Sequence, residues 1–522
     1  MSDLANPSLS QPPHNYSIRW WPVVGIFLAS AIACLVVFTI PHPSRQHLNI
    51  QLAQVFFFTF GALLIWLIFG SRLRKKIRIL LLAGILILIG GIAASFRIHG
   101  VTGNLVPILE PRWASHRLQA PIVIAATNKQ LVASIPGASD FPQFLGPTRN
   151  GILIGPRLQT NWTTHPPSLL WRQPIGTAWS GFVVSGSLAI TQEQRGEEEL
   201  VVAYELLTGK VVWSHNSKTR YFTTLAGEGP RANPSIARGR VFAQGATGIL
   251  SCLDLATGRL IWEKDILQEN QARVPGWGQS SSPLVMDDLV VVSTGARQDR
   301  SLVAYRCGDG APAWSAGSDD ETYCSPTLLT LAGIPQIVLF SDSLISHDPA
   351  TGKELWRFAW PHGHPHVAMP VQVNGTDLIV SSGYGTGSGR VRVQRDSSGV
   401  WNAAPVWRTN RLKAKFTNPV LFGHYIFGLD DGILACLDAE TGDQRWKDGR
   451  YGHGQTLLVR DLLLVTAENG EVLLVDPQPD RLRELCKSPS LSGKTWNPPA
   501  LAGEYLVVRN DKEAACYRLP SY

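Results

Sequence analysis

A unit of roughly 40–50 residues recurs from Asp140 to the C-terminus, so the chain must bury its apolar surface between successive copies of one small motif. The clearest copies are Leu253–Trp262 (LDLATGRLIW) and Leu437–Trp446 (LDAETGDQRW), with Tyr204–Trp213 (YELLTGKVVW) and His347–Trp356 (HDPATGKELW) beside them. Each reads as a strand end, a tight turn and a second strand ending in tryptophan. Asp and Thr side chains can bond nearby backbone groups there, and Gly takes the positive φ that closes the hairpin. Weaker copies end at Trp314 and Trp407, and the turn before Cys486 (DPQPDRLREL) keeps the shape without Gly or Trp. With Trp171, Trp213, Trp262, Trp314, Trp356, Trp407, Trp446 and Cys486 as equivalent positions, the spacings are 42, 49, 52, 42, 51, 39 and 40 residues, which makes eight units.

The other half of each unit is a short apolar run after a proline, a turn and a second alternating run, as in Pro234-Ser235-Ile236 with Arg240-Val241-Phe242. Similar pairs start at Pro283, Pro326, Pro370, Pro419 and Pro499. Four short strands per period make a propeller blade. The fold class expected is an all-β eight-bladed propeller of four-stranded antiparallel blades, preceded by three transmembrane α-helices. Trp171 ends a unit with no preceding strands, and Pro499–Leu519 supplies three strands with no following Trp. The chain ends therefore complete one blade, which removes exposed sheet edges. A large ring once per blade fills the wedge between neighbouring sheets, so these tryptophans read as structural.

The first hundred residues differ in kind. Trp20–Ile40, Leu52–Gly70 and Ile79–Phe96 are runs of about 20 residues without a charged side chain, the length that crosses a hydrocarbon core. Arg72, Arg74, Lys75, Lys76 and Arg78 crowd the second loop, whereas the first has Arg45 alone, and cytoplasmic loops collect such charges. Much of the net charge of +7 is thus a topology signal, and nucleic acid is not expected as a partner. The expected organisation is a cytoplasmic tail (1–18), a three-helix anchor (19–97), a linker (98–139) and the propeller (140–522). The location expected is the bacterial inner membrane, multi-pass, with the N-terminus cytoplasmic and the propeller periplasmic. Pro41 and His42 stand where a cleaved signal peptide would have small residues.

The repeat, with its L-D-x-x-T-G-x-x-x-W pattern, resembles the pyrroloquinoline-quinone-like (PQQ-like) propeller superfamily. Asp140–Gly151 (DFPQFLGPTRNG), Ser381–Gly389 (SSGYGTGSG) and Gly493–Asn510 (GKTWNPPALAGEYLVVRN) look like its bacterial PQQ-binding-like repeat proteins. The resemblance implies two functions. One is that of the BamB-like propeller lipoproteins of outer-membrane assembly, which bind partners and do no chemistry. The other is that of quinoprotein alcohol dehydrogenases, in which the quinone lies in the propeller funnel beside calcium, a vicinal disulfide and an Asp base. The seven cysteines include no adjacent pair and no CxxC, and Cys252, Cys436 and Cys516 occupy corresponding places as small buried residues. The segments leading into the first strands are poor in the carboxylates that a hard Ca²⁺ wants.

Those lead-in segments converge on the funnel and bring Arg231, Trp277, His366, Lys415, Lys494 and Trp496 together as a candidate surface for an acidic or aromatic ligand or a peptide. His362, His364 and His366 form one metal-like cluster, but Gly363 and Pro365 argue for a loop, and no metal ligands are assigned. Asp430-Asp431-Gly432 reads as a hairpin turn, and Gly383–Gly387 as a turn between strands. The reading is a membrane-anchored, non-catalytic binding or scaffold module. Its partners are membrane lipid and a protein at the propeller face, and no cofactor or catalytic residue is assigned. The alternative is a divergent quinoprotein alcohol or sugar dehydrogenase carrying PQQ and calcium, and a third reading is a sensor that passes a signal through the helices.

Overall fold

The computed structural model describes residues 18–42, 44–113, 135–320, 322–361 and 363–522, in two compact units, Met1–Ser115 and His116–Tyr522. The first holds helices α1 (Trp21–Thr39), α2 (Arg45–Ile65) and α3 (Lys75–Ser95), each long and apolar enough to cross a membrane. Pro22 stands in the first turn of α1, where a missing N–H costs nothing, and a π-helical turn, Trp66–Gly70, extends α2. Thr59 Oγ1 donates to Ser30 Oγ (2.9 Å), tying α2 to α1. Both α2 and α3 begin earlier than the charge-free runs, at Arg45 and Lys75. Charge marks where hydrocarbon ends, whereas helix propensity carries through Arg, Gln and Lys. At the start of the expected linker, Phe96–Val101 (β1) and Pro107–Pro111 (β2) pair as an antiparallel hairpin. Pro121, in the remainder of that stretch, lies outside the described residues.

The described residues of the second unit form eight blades, with inner strands at Val183–Ser185 (blade I), Ser235–Ala237 (II), Leu284–Met286 (III), Thr327–Leu331 (IV), Val371–Gln372 (V), Val420–Phe422 (VI), Gln455–Val459 (VII) and Ala500–Ala502 (VIII). Each continues through three antiparallel neighbours. In blade VIII the outermost strand is Ser168–Pro174, paired to Glu513–Arg518, so the ring closes as the sequence implies. Blade VII gains a fifth strand, Ile152–Leu153, parallel to its inner strand.

The repeated tryptophans lie on the outermost strands. Trp171, Trp262 and Trp446 stand directly opposite Cys516, Cys252 and Cys436, and Trp213 and Trp314 stand opposite Ala203 and Ala304. Direct partners share a sheet face, so a small residue there leaves room for the ring. Each of these rings reaches the next blade: Trp171 Nε1 donates to Leu206 O (2.8 Å), Trp213 to Leu255 O (3.0 Å), Trp262 to Cys307 O (3.0 Å) and Trp446 to Gln478 O (2.8 Å). Under the rings of Trp171, Trp213 and Trp314 lies the Thr-Gly turn of that neighbour, and under Trp262 an Asp-Gly turn. Gly258 has φ +69°, and a Cβ on it would come within 2.5 Å of Trp213. Trp356 departs from the pattern, because blade V turns through Asp396–Gly399 rather than Thr-Gly; its Nε1 bonds Gln336 Oε1 (2.6 Å) in its own blade.

Candidate functional site

X-Pro steps precede the inner strands of six blades and hold the residue before proline in extended backbone; that residue is Asn233, Ser282, Ser325, Met369, Asn418 or Pro498. The Asn and Ser side chains staple the ring. Gly181 N–H donates to Asn233 Oδ1 (2.7 Å), Asn233 N–H to Ser282 Oγ (2.9 Å), Ser282 N–H to Ser325 Oγ (2.9 Å) and Met369 N–H to Asn418 Oδ1 (2.8 Å). Asn497 Nδ2 links blade VIII to blade I through Ser180 O (2.8 Å). These lead-in segments looked simply carboxylate-poor; the polar residue before proline was the unread signal.

The segment from Asp140 to Leu153 spans the central channel. Phe141 exchanges backbone hydrogen bonds with Val184 of blade I, Pro142 O accepts from Ile236 N–H of blade II (2.7 Å), and Gly151 O accepts from Leu458 N–H of blade VII (2.8 Å). Arg149, buried, donates to Ser282 O (2.6 Å), Pro283 O (3.1 Å) and Pro326 O (3.0 Å) in blades III and IV. Burial pulls its guanidinium down to about 9. Gly146, at φ +87°, lets the segment fold on itself, since a Cβ there would meet Leu153 at 2.7 Å. This stretch is therefore a plug across the axis.

The plug floors a funnel of about 920 Å³, open mouth included, that the lead-in segments of all eight blades wall. Phe144 rises from the floor, and Trp179, Trp277, Tyr323, Tyr384, Phe416 and Trp496 supply ring faces. Trp496 lies 5.1 Å from Trp179 and 5.0 Å from Phe416, centroid to centroid. Lys494 Nζ sits 4.4 and 4.2 Å from the Trp179 and Trp496 rings, and Lys415 Nζ sits 4.8 and 5.3 Å from those of Tyr384 and Phe416. Burial lowers both ammonium groups, Lys415 to about 8. Glu468 accepts from Trp496 Nε1 (2.9 Å) and His453 N–H (2.9 Å) just behind the wall. Asn233 Nδ2 and Trp179 Nε1 are buried behind the wall with no hydrogen-bond acceptor among the described residues.

Of the six residues expected at the rim, Trp277 and Trp496 line this funnel, and Lys415 and Lys494 lie against its rings. Arg231 lines it too, yet its guanidinium donates to Ala226 O (2.9 Å), Gly227 O (2.9 Å) and Gly229 O and lies 4.3 Å from the Tyr221 ring. It clamps a rim hairpin, Phe222–Thr223 with Gly227–Glu228. His366 is buried behind the wall, stacked on Phe340 at 4.3 Å, with Nδ1 on Ser341 O and Nε2 on Pro361 O. Burial lowers its pKa. Both ring nitrogens face backbone carbonyls, only one of which a neutral ring can bond, and the stacked, buried ring has a packing role. His364 stacks on Tyr384 (5.1 Å), and His362 lies outside the described residues. Asp430 and Asp431 do sit at a hairpin turn, where buried Asp430 holds Lys413 (2.6 Å) and Lys447 (2.9 Å).

Residues 197–448 match the family model PQQ_2, described as outer membrane protein assembly factor BamB. Over that stretch, nearly half of the chain, its propeller is similar to PQQ-like repeat proteins. Among curated relatives, outer membrane protein assembly factor BamB of Shewanella oneidensis is 22% identical over 296 residues, covering 53% of this chain and 71% of that one. The BamB of Xanthomonas campestris pv. campestris is 33% identical over 99 residues, 19% of this chain and only 24% of the relative. Quinohemoprotein alcohol dehydrogenase from Comamonas testosteroni shares the propeller fold at a TM-score of 0.51 and 12% identity, over 74% of this chain and 82% of that one. The described residues lining the funnel include no carboxylate, and the chain has no adjacent cysteines.

Proposed function

We propose that this chain is a non-catalytic binding or scaffold module, anchored in the bacterial inner membrane by α1–α3 with the propeller in the periplasm, whose funnel takes a protein partner. The observation that carries the reading is the funnel itself: aromatic faces with the ammonium groups of Lys415 and Lys494 set against their rings, and no carboxylate among the described lining residues. Such a surface recognises aromatic and acidic side chains rather than activating a substrate. The side of the membrane rests on the five basic residues between Arg72 and Arg78, against Arg45 alone in the first loop. The likeness to the BamB assembly factors supports a partner-binding role.

Crosslinking in native membranes followed by pull-down tests this reading. A defined protein should be recovered with the unsubstituted chain and lost with Trp277→Ala and with Lys494→Ala, both still folded by near-UV circular dichroism. Reduction of an artificial electron acceptor by the purified protein with the quinone, Ca²⁺ and primary alcohols, abolished by a chelator, would establish the dehydrogenase instead.

A further inference from the structure

The hairpin β1–β2 follows α3 without a spacer and has two chemically different faces. Direct partners in its register are Arg97 with Glu110 and Ile98 with Leu109. One face therefore carries Arg97 and Glu110, 3.9 Å apart, with His99 Nδ1 3.4 Å from the same carboxylate. The other carries Phe96, Ile98 and Leu109, the last two about half exposed (47% and 57%). Trp113 extends that apolar side, its ring 6.1 Å from Phe96.

The hairpin is also fixed in place. Arg112 N–H donates to Ser95 O (2.8 Å), and its Nε donates to Ala93 O (3.0 Å) and Phe96 O (3.2 Å), so a cation caps the C-terminal carbonyls of α3. Asn49 Nδ2 donates to Asn104 O (2.9 Å), tying the hairpin loop to the first turns of α2. An isolated two-stranded hairpin is marginal in water, and this one shows large apolar side chains on the side away from its ion pair.

We infer that β1–β2 lies in the membrane surface at the end of α3, with Phe96, Ile98, Leu109 and Trp113 in the boundary between headgroups and acyl chains and the largely buried Arg97–Glu110 pair on the side turned away from lipid. The occupant of the apolar face is lipid, because that face continues the exposed apolar surface of α3 from Ser95 into Phe96. Aromatic rings favour this depth, and an amphipathic element with one charged face lies in the interface plane. The inference rests on the reading of α3 as a membrane span.

The full chain is reconstituted into phosphatidylcholine–phosphatidylglycerol vesicles containing nitroxide-labelled lipid. Leu109→Cys, Arg97→Cys and, within α3, Leu88→Cys variants carry an environment-sensitive fluorophore, and each signal is read as the difference from the unsubstituted chain. Quenching severalfold stronger at position 109 than at 97, together with strong quenching at 88, is the expected result. Strong quenching at 88 with none at 109 would overturn the interfacial hairpin while leaving the span intact. No quenching at 88 would overturn the span and the inference with it.

Discussion

Glu199 is a buried carboxyl, 6% exposed, whose oxygens accept Ala246 N–H (3.2 and 3.3 Å). Burial raises its pKa to about 7, against the smaller opposing pull of Arg231 and that hydrogen bond. The folded chain thus keeps a proton that the unfolded chain releases near the ordinary value of 4.5. Stability should fall as pH rises from about 4.5 to about 7, and the full penalty stands above that. Glu199→Gln removes the titration and should raise stability at pH 8 by the order of 1–3 kcal/mol relative to its effect at pH 4. Denaturant midpoints at the two pH values check this, and an equal difference at both would show that Glu199 ionises normally. At the same scale, the Lys494 and Trp496 positions were legible from the segments leading into the inner strands. The hairpin-clamping role of Arg231 was not, because sequence does not say which carbonyls a guanidinium will meet.

The working element is the outermost tryptophan docked on the next blade's turn. Thr-Gly and Trp were each readable as parts of one hairpin; that the ring of one copy covers the glycine of the following copy depends on how blades stack. Gly258→Ala should cost about 1–3 kcal/mol for the positive φ alone, with a further cost because the new Cβ would strike the Trp213 ring. In a Trp213→Ala background the ring is gone and the second cost with it. The double variant should therefore be less destabilised than the sum of the single variants, by about 0.5–3 kcal/mol in a double-mutant cycle. Simple additivity would show that ring and turn do not touch in solution.

For the whole molecule, closure is the feature on which the ring depends. Deleting residues 513–522 takes a strand from between Tyr505–Arg509 and Ser168–Pro174, exposing two edges. The truncated chain should aggregate or become protease-sensitive throughout the propeller; melting like the intact chain would show that the ends are not joined. Trp171→Ala, which empties a buried aromatic site in the same blade, should cost about 3–5 kcal/mol. For topology, a reporter active only outside the cytoplasm should work when fused after Gly100 and fail at Arg74. The opposite pattern would reverse the orientation proposed here.

Period and composition are local properties, and the sequence alone determined what depends on them: eight units, four strands in each, the blade shared by the two ends, three apolar helices and the basic loop. Alternation and turn chemistry act within a few residues, so they can be read without a fold. The tertiary structure decided what depends on residues distant in the chain. Only the closed ring turns Asn233, Ser282, Ser325 and Asn418 into staples between blades. It also makes Asp140–Leu153 a plug held by Arg149 across more than a hundred intervening residues. A hydrogen bond selects a partner by position in space, and here those positions exist only once the eight blades have met around one axis.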